Sequence, residues 1–502
     1  MKNKLLFLLI LLLSDTSFCQ STFFTKTQGT NIFNLPHDLV VKPDNNILFL
    51  NNSIDVNSDI YDNNIFEVSP EGEILNTVTF TDTTSKWVEY THIIDVDDTL
   101  YVFGWGQKNL PGIDYPFLIM LKLDMQLDLI DNVEINIDTL NYANGLSNGQ
   151  AKYLGESFIY LSSSRNGGTN KNCFLAEITK NGEMVKIVSD DESTCTQIPY
   201  DFLPKENEEG YYVFTWNNNM PGYGMGGFMY DYDRVLNINS FSLLPNDFWF
   251  YFTALPVDNS SFYLSGTWMQ YSSPDIPPYR TGIMKMKTDG TVLDEKLFYS
   301  IPGADTADNT AYRNSLDYLS DGNLILCSNH NITIQIIPQL VPSYIRLIKL
   351  TPELDVVWER FIGNGDGKYD AYVMKTTPYD EIIILGAWSP APPTNWDYTA
   401  PMFIKTNGEG LFTSIPEGKA WIKSSDAILY PNPANDQIAV EFSMAYPSAE
   451  FQLADISGKT VFNNHLSTNR QTVDISALQA GTYLYRIFNS KGLEETGKLV
   501  VK

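Results

Sequence analysis

Few residues in this chain of 502 have the types and spacing for chemistry. Gly145-Leu146-Ser147-Asn148-Gly149 spells G-x-S-x-G, the spacing that holds a nucleophilic serine on a strained turn between a strand and a helix. No helical pattern follows it, and it reads as part of a connection between repeat units, so it is not taken as a nucleophile. His37, His92 and His330 fall in three separate repeat units, and His465 lies near the C-terminus. With no H-E-x-x-H spacing, they read as structural residues. Asp44-Asn45-Asn46 and Asp95–Asp98 lack the glycine-plus-glutamate pattern of an EF-hand loop and read as hairpin turns. Cys173, Cys195 and Cys327 form no C-x-x-C or Cys/His cluster suited to zinc. A Cys173–Cys195 disulfide and three buried thiols both fit the spacing. No catalytic residue, metal ligand or cofactor is expected. One route to an enzyme stays open: carboxylates from several inner strands meeting on a common axis.

The elements that must position these residues are strands. From His37 to about Trp421 one pattern recurs: a strand, a tight turn, a strand, a longer loop, a strand, a tight turn and a fourth strand. The first turns fall near Asp44, Asp97, Gly155, Asn207, Asp258, Asp321 and Tyr379. The second turns fall near Gly72, Gln126, Gly182, Asp233, Gly290, Leu354 and Gly408, at steps of 54, 56, 51, 57, 64 and 54 residues. Asp-Gly, Asn-Gly and Asp-Asn suit tight hairpins, and helical periodicity is absent. Seven units of four strands predict a seven-bladed β-propeller. Thr22–Thr27 lies outside this count and reads as an extra strand latching the last unit.

Antiparallel connectivity sends the tight turns to one face and the longer loops to the other. The long-loop face should carry Asn51–Asn63, Gly104–Tyr115, Ser162–Asn172, Trp216–Gly226, Gly266–Arg280, Ser328–Ser343 and Ala387–Ala400. Trp105, Trp216, Trp268 and Trp388 stand at equivalent places at the starts of four of these loops. They are the binding candidates, since exposed aromatics on a rigid scaffold stack on sugars or anchor a protein. Filling the wedges between repeat units is the competing role for the same side chains.

After Gly418–Ser425, which reads as a linker, short alternating runs give about seven strands and predict a small immunoglobulin-like β-sandwich. Tyr430-Pro431-Asn432-Pro433 is extended by its prolines, and Asp455 to Gly458-Lys459 and Ala480-Gly481 supply turns. Those residues, with Tyr483 and the closing Lys498-Leu499-Val500-Val501-Lys502, resemble the type A C-terminal sorting domain of the type IX (Por) secretion system of Bacteroidota. The resemblance covers only the tail. It implies recognition by the outer-membrane secretion machinery, removal by a sortase-like cysteine protease, and either release or attachment at the cell surface.

The start of the chain agrees with export. Lys2 and Lys4 precede the apolar run Leu5–Leu13, and Ser17 and Cys19 stand at −3 and −1 to a cut before Gln20. This is a signal peptide over 1–19, too short for a membrane span, and no later run is long enough to be one. The net charge of −27 excludes a basic nucleic-acid footprint. With 29 Tyr, 28 Phe and 9 Trp, the chain has ample aromatic bulk for β cores. The expectation is an all-β protein: residues 20–421 a propeller that binds a glycan or a protein, and 422–502 the sorting domain. A secreted carbohydrate-active hydrolase or lyase with axial carboxylates is the alternative.

Overall fold

The structure is a computed structural model. It describes residues 23–26, 32–55, 60–81, 85, 87–110, 113–137, 144–165, 171–189, 195–206, 209–220, 222, 224–245, 248–269, 279–298, 307–332, 343–363, 367–390, 399–412, 422–424, 427–430, 434–442, 448–455, 459–468, 470–489 and 494–502. Every regular element among them is a β-strand. Among the described residues no helix is long and apolar enough to cross a membrane. Residues 1–19, read from the sequence as a signal peptide, lie outside the described residues. The chain divides into two compact units, the second built mainly on Trp421–Lys502.

In the first unit, strands pair with their neighbours in sequence. The first sheet is β2 (Ile32–Val41), β3 (Ile47–Asp55), β4 (Ile60–Val68) and β5 (Ile74–Phe80). The second is β6 (Trp87–Val96), β7 (Thr99–Leu110), β8 (Ile113–Leu123) and β9 (Leu129–Ile135). The third is β10 (Asn144–Tyr153), β11 (Ser157–Arg165), β12 (Lys171–Thr179) and β13 (Met184–Ser189). The fourth is β14 (Thr196–Pro204), β15 (Gly210–Met220), β16 (Gly224–Asp233) and β17 (Ile238–Leu243). The fifth is β18 (Phe248–Asp258), β19 (Ser261–Met269), β20 (Tyr279–Lys287) and β21 (Val292–Phe298). In the sixth, β22 (Ala307–Thr310) and β23 (Leu316–Tyr318) both pair with β24 (Leu324–Ile332), followed by β25 (Tyr344–Leu350) and β26 (Val356–Ile362). The seventh is β27 (Gly367–Thr376), β28 (Ile382–Pro390), β29 (Ala400–Thr406) and β1 (Phe23–Lys26).

The last sheet corrects one expectation. β1 is not an addition to four strands but the fourth strand itself, antiparallel to β29 with Phe23 opposite Lys405. The two ends of this unit are thereby hydrogen-bonded together.

The turns between third and fourth strands show why the period is so regular. A side-chain oxygen at the first turn residue accepts the backbone N–H groups two and four residues on. Ser69, Asp124, Thr179, Thr351 and Asn407 all do this. The fourth position has positive φ and is glycine at Gly72, Gly182, Gly290 and Gly410. Leu127, Leu236 and Leu354 hold the same conformation and are buried, so apolar burial offsets the left-handed strain.

Each sheet packs on the next. Phe103 and Met120 meet Phe158 and Tyr160. Ile159 and Leu161 meet Val213 and Tyr230. Phe214 and Met229 meet Phe262 and Met284. The fifth and sixth sheets join through Ser265 Oγ and Ser315 Oγ at 2.7 Å. Asn329 bonds both the N–H and the C=O of Ala371 to join the sixth and seventh. Leu39 and Phe49 of the first sheet meet Val373, Leu385 and Phe403 of the seventh, with Phe49 stacked on Phe403 at 4.4 Å.

In the second unit, β30 (Ile422–Ser424) precedes two sheets. One is β31 (Ala427–Tyr430), β32 (Gln437–Phe442) and β35 (Arg470–Asp474). The other orders β34 (Thr460–Leu466), β33 (Ala449–Ala454), β36 (Gly481–Phe488) and β37 (Glu494–Val501). Ile438, Val440, Phe451, Leu453, Ile487 and Leu499 fill the core between them. The alternation Tyr483, Tyr485, Ile487 faces inward while Leu484 and Arg486 are exposed, as the period-two reading requires.

Candidate binding site on the inner strands

The first strand of most sheets is irregular. The register shifts between Pro36 and Asp38, Tyr90 and His92, Pro199 and Asp201, Phe250 and Thr253, and Ala371 and Val373. In the sixth sheet the strand is broken between β22 and β23. Bulges re-aim side chains away from the sheet pattern. Here they gather residues from sheets far apart in sequence.

One side of the gathering is ionic. His37 Nε2 lies 3.0 Å from Glu89 Oε1. Arg313 Nη1 donates to the Thr91 carbonyl at 2.7 Å, linking the sixth sheet to the second across 222 residues. His92 Nε2 lies 2.9 Å from the Gly149 carbonyl and Nδ1 2.9 Å from Thr91 Oγ1. That pattern fits a neutral ring with its proton on Nε2. Asp38 Oδ2 accepts Ile93 N–H of the next sheet at 3.1 Å, and Oδ1 accepts Lys375 Nζ of the previous one at 3.2 Å. Asp201 repeats the device: Oδ2 takes Ala254 N–H at 2.9 Å and Oδ1 takes Lys152 Nζ at 2.7 Å. Each aspartate thus ties three successive sheets.

Burial sets the protonation of this cluster. It lowers His37, opposed by Glu89, and it lowers His92 well below the usual histidine value, helped by the Arg313 charge. Burial pushes the Glu89 carboxyl up, but the His37 contact with Arg313 and Asn52 nearby outweighs it, leaving Glu89 below its usual value. The histidines are therefore neutral and Glu89 anionic at neutral pH. A general acid for glycoside cleavage needs a carboxyl held up toward neutrality, the reverse of Glu89.

The other side is aromatic. Tyr200, Tyr251, Tyr312 and Tyr372 come from four successive sheets, with ring centroids 5.6, 4.8 and 4.6 Å apart, all edge to face. Burial first, and the Asp370 charge second, raise the hydroxyls of Tyr251, Tyr312 and Tyr372, so they remain protonated. Among the described residues no group of three His, Cys, Asp or Glu could hold a metal ion.

The sequence candidates land elsewhere. Trp105, Trp216, Trp268 and Trp388 lie inside β7, β15, β19 and β28, not at loop starts, because those hairpins keep pairing past them. β7 and β8 pair as far as Leu110 and Ile113, so most of Gly104–Tyr115 is ladder. Trp105 meets Trp87 edge-on at 4.0 Å, and Trp216 lies 5.4 Å from Phe250 of the next sheet. Trp268 packs edge-on against Phe248 and is 8% exposed. Trp388 stands opposite Tyr369 and Ala400 and is half-buried. Gly145–Gly149 belongs to β10, with Ser147 opposite Ser163, a strand where a connection was expected. His330 Nδ1 lies 2.9 Å from Asp308 Oδ1. Cys173, Cys195 and Cys327 are buried and unbridged, so the thiol alternative is the one seen.

Glu89, Arg313 and the tyrosines were not singled out from the sequence. A signal existed: His37, Tyr200, Tyr251, Asn314 and Tyr372 each stand seven residues before their first turn. Nothing comparable marks Glu89 or Arg313.

The tail residues fall as follows. Tyr430 ends β31, while Pro431, Asn432, Pro433 and Gly458 lie outside the described residues. Asp455 and Lys459 close a turn, Lys459 N–H donating to Asp455 Oδ1 at 3.1 Å. Gly481 opens β36, and the Tyr483 hydroxyl donates to the Gln479 carbonyl at 2.8 Å. Lys498 lies in β37. Ala434 N–H donates to the Val500 carbonyl and Lys502 N–H to the Ala434 carbonyl, clasping the two ends of the motif series.

Residues 428–502 match the family model of the secretion system C-terminal sorting domain. No curated protein matches the chain. Among solved structures, an α-L-arabinanase of Penicillium chrysogenum complexed with arabinobiose is 8% identical, covering 78% of this chain and 99% of its own, at a TM-score of 0.43. The α-L-arabinofuranosidase Arb93A of Fusarium graminearum is 10% identical, covering 77% and 97%, at 0.41. The β-propeller domain of the trilobed protease of Pyrococcus furiosus is 9% identical, covering 76% and 99%, at 0.40. Likenesses this distant carry nothing about activity. The tail match assigns the C-terminal segment to protein export.

Proposed function

We propose that the chain is an exported binding protein. Residues 1–19 direct it across the inner membrane, 20–421 form a seven-bladed β-propeller closed by β1 on β29, and 422–502 form an immunoglobulin-like sorting domain. Type IX machinery reads that domain at the outer membrane, and a sortase-like protease removes it. The family match over 428–502 supports the export half. The four-strand sheets, each packed on the next and the last on the first, support the propeller. One observation supports binding over hydrolysis: three inner-strand carboxylates, Glu89, Asp38 and Asp201, are held by His37, Lys375 and Lys152, and Glu89 is shifted away from the acid role. Trp105, Trp216, Trp268 and Trp388 mark the end of the sheets where a glycan or protein ligand would dock.

Deleting 422–502 should leave folded propeller in the periplasm, read by fractionation and immunoblot; normal export of the truncated chain overturns the sorting role. Turnover of aryl glycosides by the full chain, lost in Glu89→Gln, would overturn the binding reading in favour of a hydrolase.

A further inference from the structure

Three tyrosines and a buried carboxylate on successive inner strands stand together. Tyr251 on β18, Tyr312 between β22 and β23, and Tyr372 on β27 meet edge to face at 4.8 and 4.6 Å. All three are partly exposed, so the rings are not sealed into a core. Asp370, two residues before Tyr372, is 7% exposed. Lys368 Nζ holds its Oδ2 at 2.6 Å. Its Oδ1 is buried with no hydrogen-bond partner among the described residues. Buried polar atoms are nearly always paired, so an orphaned carboxylate oxygen marks a place where a ligand brings the donor. The Asp370 charge raises all three tyrosine hydroxyls, which fits a carboxylate close to the cluster two residues before Tyr372. Asp370 stands opposite Ala387 and Tyr372 sits in the bulge beside Gly386, so the cluster lies along the middle of the inner strands.

Two ligand classes suit aromatic rings beside a carboxylate: an organic cation and a sugar. Lys368 already balances the charge of Asp370, so a second cation gains little. The unpaired oxygen asks for a hydroxyl donor, and tyrosine rings offer faces to the C–H side of a pyranose or furanose. We infer that Asp370, Tyr251, Tyr312 and Tyr372 form a subsite for a neutral sugar ring, whose C–H face lies on the tyrosines and whose hydroxyl donates to Asp370 Oδ1. This rests on the binding reading and narrows its ligand to carbohydrate.

The test is calorimetry and saturation-transfer NMR on the full chain. The probes are cellobiose, maltose, mannobiose, galactobiose and, as the cationic control, choline. At least one disaccharide should bind. Asp370→Leu should abolish that binding, and Asp370→Asn, which keeps the shape and one acceptor, should weaken it about tenfold, the loss of one good hydrogen bond to a charged group. Tyr312→Ala, which removes one of the ring faces, should weaken it as well. Near-UV circular dichroism confirms that each variant is folded. Disaccharide binding unchanged in both Asp370 variants overturns the subsite and leaves the binding reading standing. Choline binding lost in those variants, without sugar binding, overturns the sugar class. A parent chain that binds none of the probes overturns the subsite, whereas the binding reading fails on glycoside turnover, a separate result.

Discussion

The third-to-fourth-strand turns and the inner strands of the first unit share one repeat but keep different things constant. At the turns the side chain is functionally constant. Ser69, Asp124, Thr179, Thr351 and Asn407 each offer one oxygen to the same two backbone N–H groups. On the inner strands the backbone irregularity recurs and the side chain changes: His37, Thr91, Tyr200, Tyr251, Tyr372. A turn has one task, to satisfy a reversing backbone, and few residue types do it. The inner position has no common task. It can therefore carry an ion pair in one sheet and an aromatic ring in another, and specific chemistry is placed on such positions.

The largest effect should come from the ionic side of the inner strands. Arg313 is the cation that reaches from the sixth sheet to the second. Arg313→Ala leaves Glu89 and Asp38 with less compensating charge in a buried setting. The substitution also leaves the buried Thr91 carbonyl without its charged donor, and a buried group left unpaired costs about 1–3 kcal/mol, more beside uncompensated charge. Urea unfolding should show a loss of that order, and Arg313→Lys should recover part of it. A loss no greater than that of a surface substitution would mean the inner strands are as interchangeable as the turns.

Acid should act next, and on the same side. Burial depresses His37 and His92 in the folded state, so between the ordinary histidine value of 6.5 and their folded values the unfolded chain binds more protons. Stability is thus full above that value and falls as pH drops through it. Glu89, also depressed, adds a second loss only further down, below the ordinary glutamate value of 4.5. Melting temperature should decline from pH 7.5 to 5.5 and decline less in His92→Gln. An identical decline in that variant would remove His92 as the cause.

The same contrast explains what could be read before the fold was seen. Turn residues, the period and the alternation of strands are local, so the sheets and both turn series were legible. The placing of Trp105 and Trp388 at loop starts failed because hairpin length depends on cross-strand pairing, which composition does not encode. The G-x-S-x-G stretch was set in a connection for the same reason, and β10 takes it in with an irregular register. Of the site, Glu89 and Arg313 were illegible: their meaning comes from partners tens to hundreds of residues away. Tyr200, Tyr251 and Tyr372 were half legible, since each stands seven residues before its turn but their meeting is tertiary, whereas Tyr312 breaks that spacing.

The smallest effect sharpens the comparison most, because one substitution can be made in both regions. Asp201 and Asp124 each accept two backbone N–H groups: Phe202 and Ala254 for the first, Gln126 and Asp128 for the second. Asp201 is 2% exposed and its bonds are buried, whereas those of Asp124 are exposed. Asp201→Ala strands the Ala254 N–H away from water and releases Lys152, and a buried group left unpaired costs about 1–3 kcal/mol. Asp124→Ala hands its two N–H groups to solvent, which should cost no more than about 1 kcal/mol. Chemical denaturation of the two variants should rank them in that order. Equal losses would show that the turn, not the tie between sheets, sets the stability of the repeat, and the division between the two regions would collapse.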